Sequence, residues 1–160
     1  MSETTRPSDV VRAVADGVSR LATGGLDADE KEAVLDELAS LYAEETEVRH
    51  PFAPVSMEPL RTREQLRRHF AGAPAMLAGV ERFDPEDFVV HETSDPEVVV
   101  TEFRYTGVAH GRPFDLRNIF VVRVRDGEIV ESRDYSDHVA FARAFGRLGS
   151  LARALADQAA

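Results

Sequence analysis

Between Phe114 and Val124 the chain alternates strictly. Phe114, Leu116, Asn118, Phe120, Val122 and Val124 fall on one face of a strand, and Asn118 is the single polar member of that row. A second strand follows Arg125-Asp126-Gly127, and the turn decides which of its faces joins the first. A two-residue Asp-Gly turn pairs Val124 with Ile129 and brings Glu131, Arg133 and Tyr135 beside Phe120 and Asn118. A three-residue loop with Gly127 left-handed pairs Val124 with Glu128 and puts Val130, Ser132 and Asp134 on the apolar face, Asp134 opposite Asn118. The second solution keeps Glu131 and Arg133 out of an apolar surface and is the one expected. Asp134 then faces inward as a candidate catalytic carboxylate. Its other reading is a cap on the helix that follows, or a partner for Arg133 or Arg117.

Upstream the period is helical. Ser8 can cap a helix carrying Val11, Val14, Val18 and Leu21, which Gly24-Gly25 ends. Asp27 and Glu30 form a capping pair for a helix with Val34, Leu38, Leu41 and Tyr42 on one face. TEVRHPFAP reads as a short extended segment, because prolines push the preceding residues out of the helical region. Thr62 and Gln65 make a capping box for a helix that places Leu66, His69 and Phe70 on neighbouring turns, and Pro74 stops it. Strands are expected over 88–92 and 98–106, with Val99, Thr101, Phe103 and Tyr105 on one face, and a turn at His110-Gly111-Arg112-Pro113. After Ser136-Asp137, Val139, Ala142, Phe145, Leu148 and Ala152 mark a last helix, weakened by Gly146 and Gly149. The order, helices and then hairpin-connected strands, predicts an α+β fold, a cone-shaped curved antiparallel sheet with helices over its concave face and an extra C-terminal helix. Residues 1–7 read as a disordered N-terminus and 8–156 as a single domain.

Such a cone opens at one end into a small-molecule site. Tyr42, Phe103, Tyr105, Phe120 and Val122 would line it, and a carboxylate among them would be desolvated, its pKa raised toward neutrality and suited to acid–base work.

Composition narrows the partners. The formal net charge of −10 argues against nucleic-acid backbones. There is no cysteine, so thiolate metal sites and cysteine nucleophiles are excluded, and Lys31 is the only lysine for Schiff-base chemistry. No H-x-H or H-E-x-x-H spacing suggests a metal. No segment has the length of a membrane span, and MSETTRPSD has no apolar signal core, so a cytoplasmic location is expected.

Three pieces, LYAEETEVRHPFAP, TREQLRRHF and VVRVRDGEIVESRDYSD, resemble the SnoaL-like branch of the nuclear transport factor 2-like, cone-shaped superfamily over roughly residues 35–148. The resemblance implies a pocketed domain, usually a homodimer through the convex sheet face, where Ile119, Val121 and Ile129 would point outward. It leaves the chemistry open. Ketosteroid isomerases carry an aspartate before a proline where this chain has His50, their second carboxylate falls on Phe120, and their helix-one tyrosine falls near Gly17. Limonene epoxide hydrolases share the last-strand aspartate, Asp134, but their Arg-x-Asp pair is replaced by Phe103 and Tyr105. The phenazine-biosynthesis A/B proteins are similar in more places, HETSDPEVVVTEF, DGEIVESRDY and AFARAFGRL, and their histidine and glutamate match His69 and Asp134. The resemblance thus implies acid–base catalysis, without a cofactor, on a hydrophobic or aromatic small molecule: cyclisation, isomerisation, dehydration or condensation. Asp134, His69 and His50 are the candidate catalytic residues, and Tyr42, Phe52, Phe103, Tyr105, Asn118, Phe120 and Ser132 the candidate substrate contacts. The alternative is a non-catalytic small-molecule-binding or dimerisation module.

Overall fold

Helix α1 (Pro7–Thr23) opens a computed structural model that describes residues 5–159. The helix begins one residue before Ser8. Arg6 stands at the N-cap with no side-chain cap, and Pro7, which has no N–H to leave unpaired and a preset φ, takes the first helical position. The expected disorder of residues 1–7 falls for residues 1–4 outside the described residues; Pro7 is already helical. Gly24, at φ 69°, ends the helix as expected.

Asp27 accepts from the Glu30 N–H at 2.8 Å and Glu30 accepts from the Asp27 N–H at 2.9 Å, a complete capping box that starts α2 (Ala28–Ser40). Tyr42 is not on that helix; it opens strand β1 (Tyr42–Arg49). A short β2 (Leu60–Thr62) leads into α3 (Arg63–Ala71), capped by Thr62, whose Oγ1 accepts from the Gln65 N–H at 3.2 Å. Gln65 reaches back to the Arg61 N–H at 2.6 Å rather than to the cap residue itself. Pro74 sits in the first turn of the one-turn helix α4 (Ala73–Met76).

Four long strands follow: β3 (Val80–Glu92), β4 (Val98–Ala109), β5 (Arg112–Arg125) and β6 (Glu128–Ser136). The β4–β5 turn is only His110-Gly111, at φ 50° and 71°, with Ala109 paired to Arg112. The expected single C-terminal helix is two, α5 (His138–Ala144) and α6 (Leu148–Gln158), because Gly146 turns left-handed at φ 66° between them.

The sheet order is β2-β1-β6-β5-β4-β3. It is mixed rather than wholly antiparallel, since β1 lies parallel to β6. The segment read as a short extended piece is therefore an integral strand: Thr46 Oγ1 donates to the Ile129 carbonyl at 2.9 Å, and the Ile129 N–H donates to Leu41 at 2.8 Å. A register shift between Tyr42 and Glu47 breaks the alternation that would have announced it. Helix α1 lays Val10, Val11 and Val14, and α2 lays Val34, Leu35 and Leu38, into a core completed by the sheet's inner row of Phe83, Val99, Phe103, Leu116, Val122 and Ile129. Ile129 is thus buried at 2 %, not on the outward face, whereas Ile119 stays outside at 44 % exposed. Among the described residues no helix is long and apolar enough to cross a membrane.

Candidate active site

Asp134 owes its direction to a turn and a bulge acting together. Asp126 and Gly127 have φ of 52° and 83°, the two left-handed residues of a two-residue turn, and Val124 pairs with Ile129. That is the turn set aside from the sequence. Carried through, it would have aimed Glu131, Arg133 and Tyr135 inward. Instead Arg123 pairs with Glu131, so Val130 is one extra residue on β6, and the bulge flips the parity of everything after it. Ser132 comes opposite Val122, Asp134 opposite Phe120 and Ser136 opposite Asn118. The expected face is right, while the expected turn, the placement of Val130 on that face and the Asp134–Asn118 pairing are corrected.

The carboxylate projects into a cavity of about 290 Å³ between α1, α3, α4 and the concave face of the sheet. It does not cap α5; Asp137 does, accepting from the Ala140 N–H at 2.9 Å. Nor does it pair with an arginine, since Arg133 binds Glu131 at 2.6 Å and Arg117 approaches Asp115 at 3.8 Å. Among the described residues the carboxylate accepts one side-chain hydrogen bond, from the Ser132 hydroxyl. With Asp134 only 9 % exposed, burial pushes its pKa from 3.8 up to about 7, and the Ser132 bond opposes this in part. Tyr42 and Tyr105 also line the cavity, and burial, followed by the Asp134 charge, raises both phenols well above their ordinary range. They are firmly protonated donors.

Three imidazoles share the same cavity. Val48 pairs with Ser132 and Arg49 with Arg133 across the parallel β1–β6 pair, so the strand delivers His50, one residue further, to the cavity that Asp134 also lines. The His50 ring lies 6.0 Å from that of His69 on α3, at 29°, and 6.3 Å from that of His138 on α5, at 87°. Burial, then the neighbouring His69 and His138, holds the His50 pKa down to about 4. His69 is lowered by burial although part of its surface is open at the mouth, and His138 by burial against an opposing pull from Asp137. The arrangement therefore sets neutral imidazoles around a carboxyl that titrates near neutrality. Among the described residues, none of the three is hydrogen-bonded to Asp134, whose carboxylate takes its bond from Ser132. Among the described residues, no three His, Cys, Asp or Glu side chains converge closely enough to hold a metal ion.

Of the residues singled out from the sequence, Asp134, His50, His69, Tyr42, Tyr105, Asn118 and Phe120 meet at the cavity. Four do not line it, the first being Val122, which is 1 % exposed and packed in the core instead. Ser132, 3 % exposed, stands behind Asp134 and holds it. Phe103 is drawn into an aromatic stack, 5.1 Å from Phe88 and parallel within 7°. Phe52, 70 % exposed, turns outward with the loop after Pro51 and rests edge-on against Tyr135 at 5.0 Å. His138 was missed. Its one local signal is its place directly after the helix-capping Asp137, four residues beyond Asp134.

A family model described as the SnoaL-like domain matches residues 27–132. A search of curated proteins returns no match. Among solved structures, a candidate isomerase of Bacillus subtilis superposes with a TM-score of 0.67 at 20 % identity, covering 89 % of this chain and 97 % of its own. IdmH of Streptomyces antibioticus, a candidate polyketide cyclase, gives 0.62 at 22 % identity, covering 89 % and 99 %. A protein of ketosteroid isomerase-like fold from Catenulispora acidiphila, in complex with trimethylamine, gives 0.61 at 22 %, covering 89 % and 95 %. At these identities the likeness is one of fold.

Proposed function

The chain belongs to the SnoaL-like domain family, and from that premise we propose that it is an enzyme of proton transfer acting on a hydrophobic or aromatic small molecule. One observation carries the reading: a carboxyl group almost fully buried in an apolar cavity, held by the Ser132 hydroxyl, with no cationic partner among the described residues. A carboxyl placed to cement the fold would be paired or would cap a helix. Asp134 does neither, and its desolvation is unfavourable to the fold.

Asp134 as carboxylate would take a proton from carbon adjacent to a carbonyl. The electron pair of that C–H bond moves onto the carbonyl oxygen as an enolate. The Tyr42 and Tyr105 hydroxyls, protonated and lining the cavity with Asp134, are the donors available to stabilise that oxygen. The enolate carbon then attacks a second carbonyl of the same molecule, closing a ring as that carbonyl's π pair becomes an alkoxide that takes the proton back from Asp134. Alternatively, where the substrate carries a β,γ double bond, the resulting dienolate takes that proton back at its γ carbon. The first outcome is a cyclisation and the second an isomerisation. Both require only side chains present in the cavity.

A panel of aryl β-diketones in deuterium oxide tests the proposal. Catalysed exchange of the acidic C–H, read by proton NMR, is expected for the wild type and lost in Asp134→Asn. Exchange by the variant at the wild-type rate would remove Asp134 from the mechanism. Retention of an unaltered metabolite through purification, with no exchange, would instead favour a binding module. Self-association through the outward sheet face that carries Ile119 and Val121 is part of the same proposal.

A further inference from the structure

The mouth of the cavity holds a feature that proton transfer at Asp134 does not account for. Three of the five histidines in the chain, from the end of β1, from α3 and from the start of α5, come together there. Histidine is scarce in the sequence, and residues 19 and 69 positions apart reach this cluster only because strand β1 and helix α5 both abut the end of β6. Nε2 of His50 and Nε2 of His138 are both buried, and neither has a hydrogen-bond partner among the described residues. Buried polar atoms are nearly always partnered, so two such atoms beside one opening mark the place of a group that arrives from outside.

The chemistry of that group follows from its surroundings. The three rings can offer N–H donors, and the two methionines of the same lining, Met57 and Met76, offer no competing charge. The charged groups nearby are few. Asp137 has one oxygen engaged by the Ala140 N–H, and Asp134 lies deeper, bonded to Ser132. His50 binds a proton poorly first because it is buried and then because His69 and His138 stand next to it. An anion among the rings would reverse that repulsion and make charge-assisted hydrogen bonds with the orphaned nitrogens. Behind the collar the walls are apolar and aromatic: Phe70, Phe83, Leu116, Phe120 and Phe141.

We propose that His50, His69 and His138 form a collar that receives the carboxylate of an aryl or polycyclic carboxylic acid, whose apolar body extends inward to Asp134. The inference rests on the reading of this cavity as a small-molecule site and names the class of molecule it takes. Binding of the acid then draws a proton onto the collar, whereas binding of the matching alcohol does not.

Naphthoate and naphthylmethanol, of nearly the same shape, separate the collar from the cavity. Fluorescence titration of the wild type near neutral pH is expected to give an affinity on the order of tenfold tighter for the acid than for the alcohol. Calorimetry in two buffers of different ionisation enthalpy is expected to register proton uptake with the acid alone. In His138→Gln the acid's affinity should fall to that of the alcohol, and the alcohol titration of the same variant reports whether the cavity is intact. Equal wild-type affinities, or an acid preference that survives in His138→Gln, would overturn the collar and leave the role of Asp134 standing. If neither probe binds, the cavity itself fails as a small-molecule site and the collar falls with it.

Discussion

Replacing Asp134 with asparagine removes one titrating group and little else, which makes its energetic signature computable. In the folded protein burial raises the carboxyl pKa from 3.8 to about 7. Between those values the native state holds a proton that the unfolded chain has released. Stability therefore falls as pH rises through this window, and the penalty is complete above the folded pKa. At ~1.4 kcal/mol per tenfold, the full penalty is about 4 kcal/mol, of which about 2 to 3 kcal/mol develops between about pH 5 and about pH 8. His50 acts in the opposite sense. Its pKa is lowered to about 4, so it contributes stability present above its ordinary value of 6.5 and lost as pH falls toward 4. Over the same interval that adds about 2 kcal/mol, and His69 and His138, also lowered by burial, act in the same sense as His50, so the wild-type profile alone hides the Asp134 contribution. The difference between Asp134→Asn and wild type is free of this cancellation. Urea denaturation followed by circular dichroism at the two pH values should show the variant gaining about 2 to 3 kcal/mol relative to wild type on going to the higher pH, a displacement of the midpoint by about 1 M. A difference constant across the interval would mean that Asp134 is solvated or paired in solution, and the acid–base reading would lose its foundation.

Two further substitutions probe how the carboxyl is held and how the sheet that carries it is built. Ser132→Ala removes the hydroxyl whose bond favours the charged form, so the Asp134 titration followed by carboxyl carbon NMR should move further upward; a downward move would show that the hydroxyl does not donate to the carboxylate. At Gly107 an added Cβ would lie 1.8 Å from the Arg82 carbonyl oxygen and 2.6 Å from Phe114 Cζ, so Gly107→Ala should lose about 3 kcal/mol or more by denaturation, and an unchanged stability would contradict the close approach of β3 to β4.

What was readable in the sequence is what depends on neighbours along the chain. The Asp27–Glu30 box, the Thr62 cap and the stop at Gly24 involve hydrogen bonds or backbone freedom within a few residues, and each is present in the structure. The inner row of β5 and the apolar face of Val99, Thr101, Phe103 and Tyr105 follow from a period of two, and from these elements the α+β class followed. Asp134 is nominated in the same way, as the carboxylate that alternation brings to the inner face.

The tertiary structure decided the rest, because it depends on residues brought together from far apart. Whether Asp134 faces inward turns on one unpaired residue, Val130, and nothing local distinguishes a two-residue turn with a bulge from a three-residue loop without one, since both deliver the same face. The parallel seat of β1 against β6 is a pairing across more than half the chain, and it carries His50 to the cavity that Asp134 lines. The break at Gly146 lets α5 fold short, and α5 places His138 against His50. A histidine is a weak signal by itself. Desolvation and two imidazole neighbours give it chemistry, and both are properties of the folded chain.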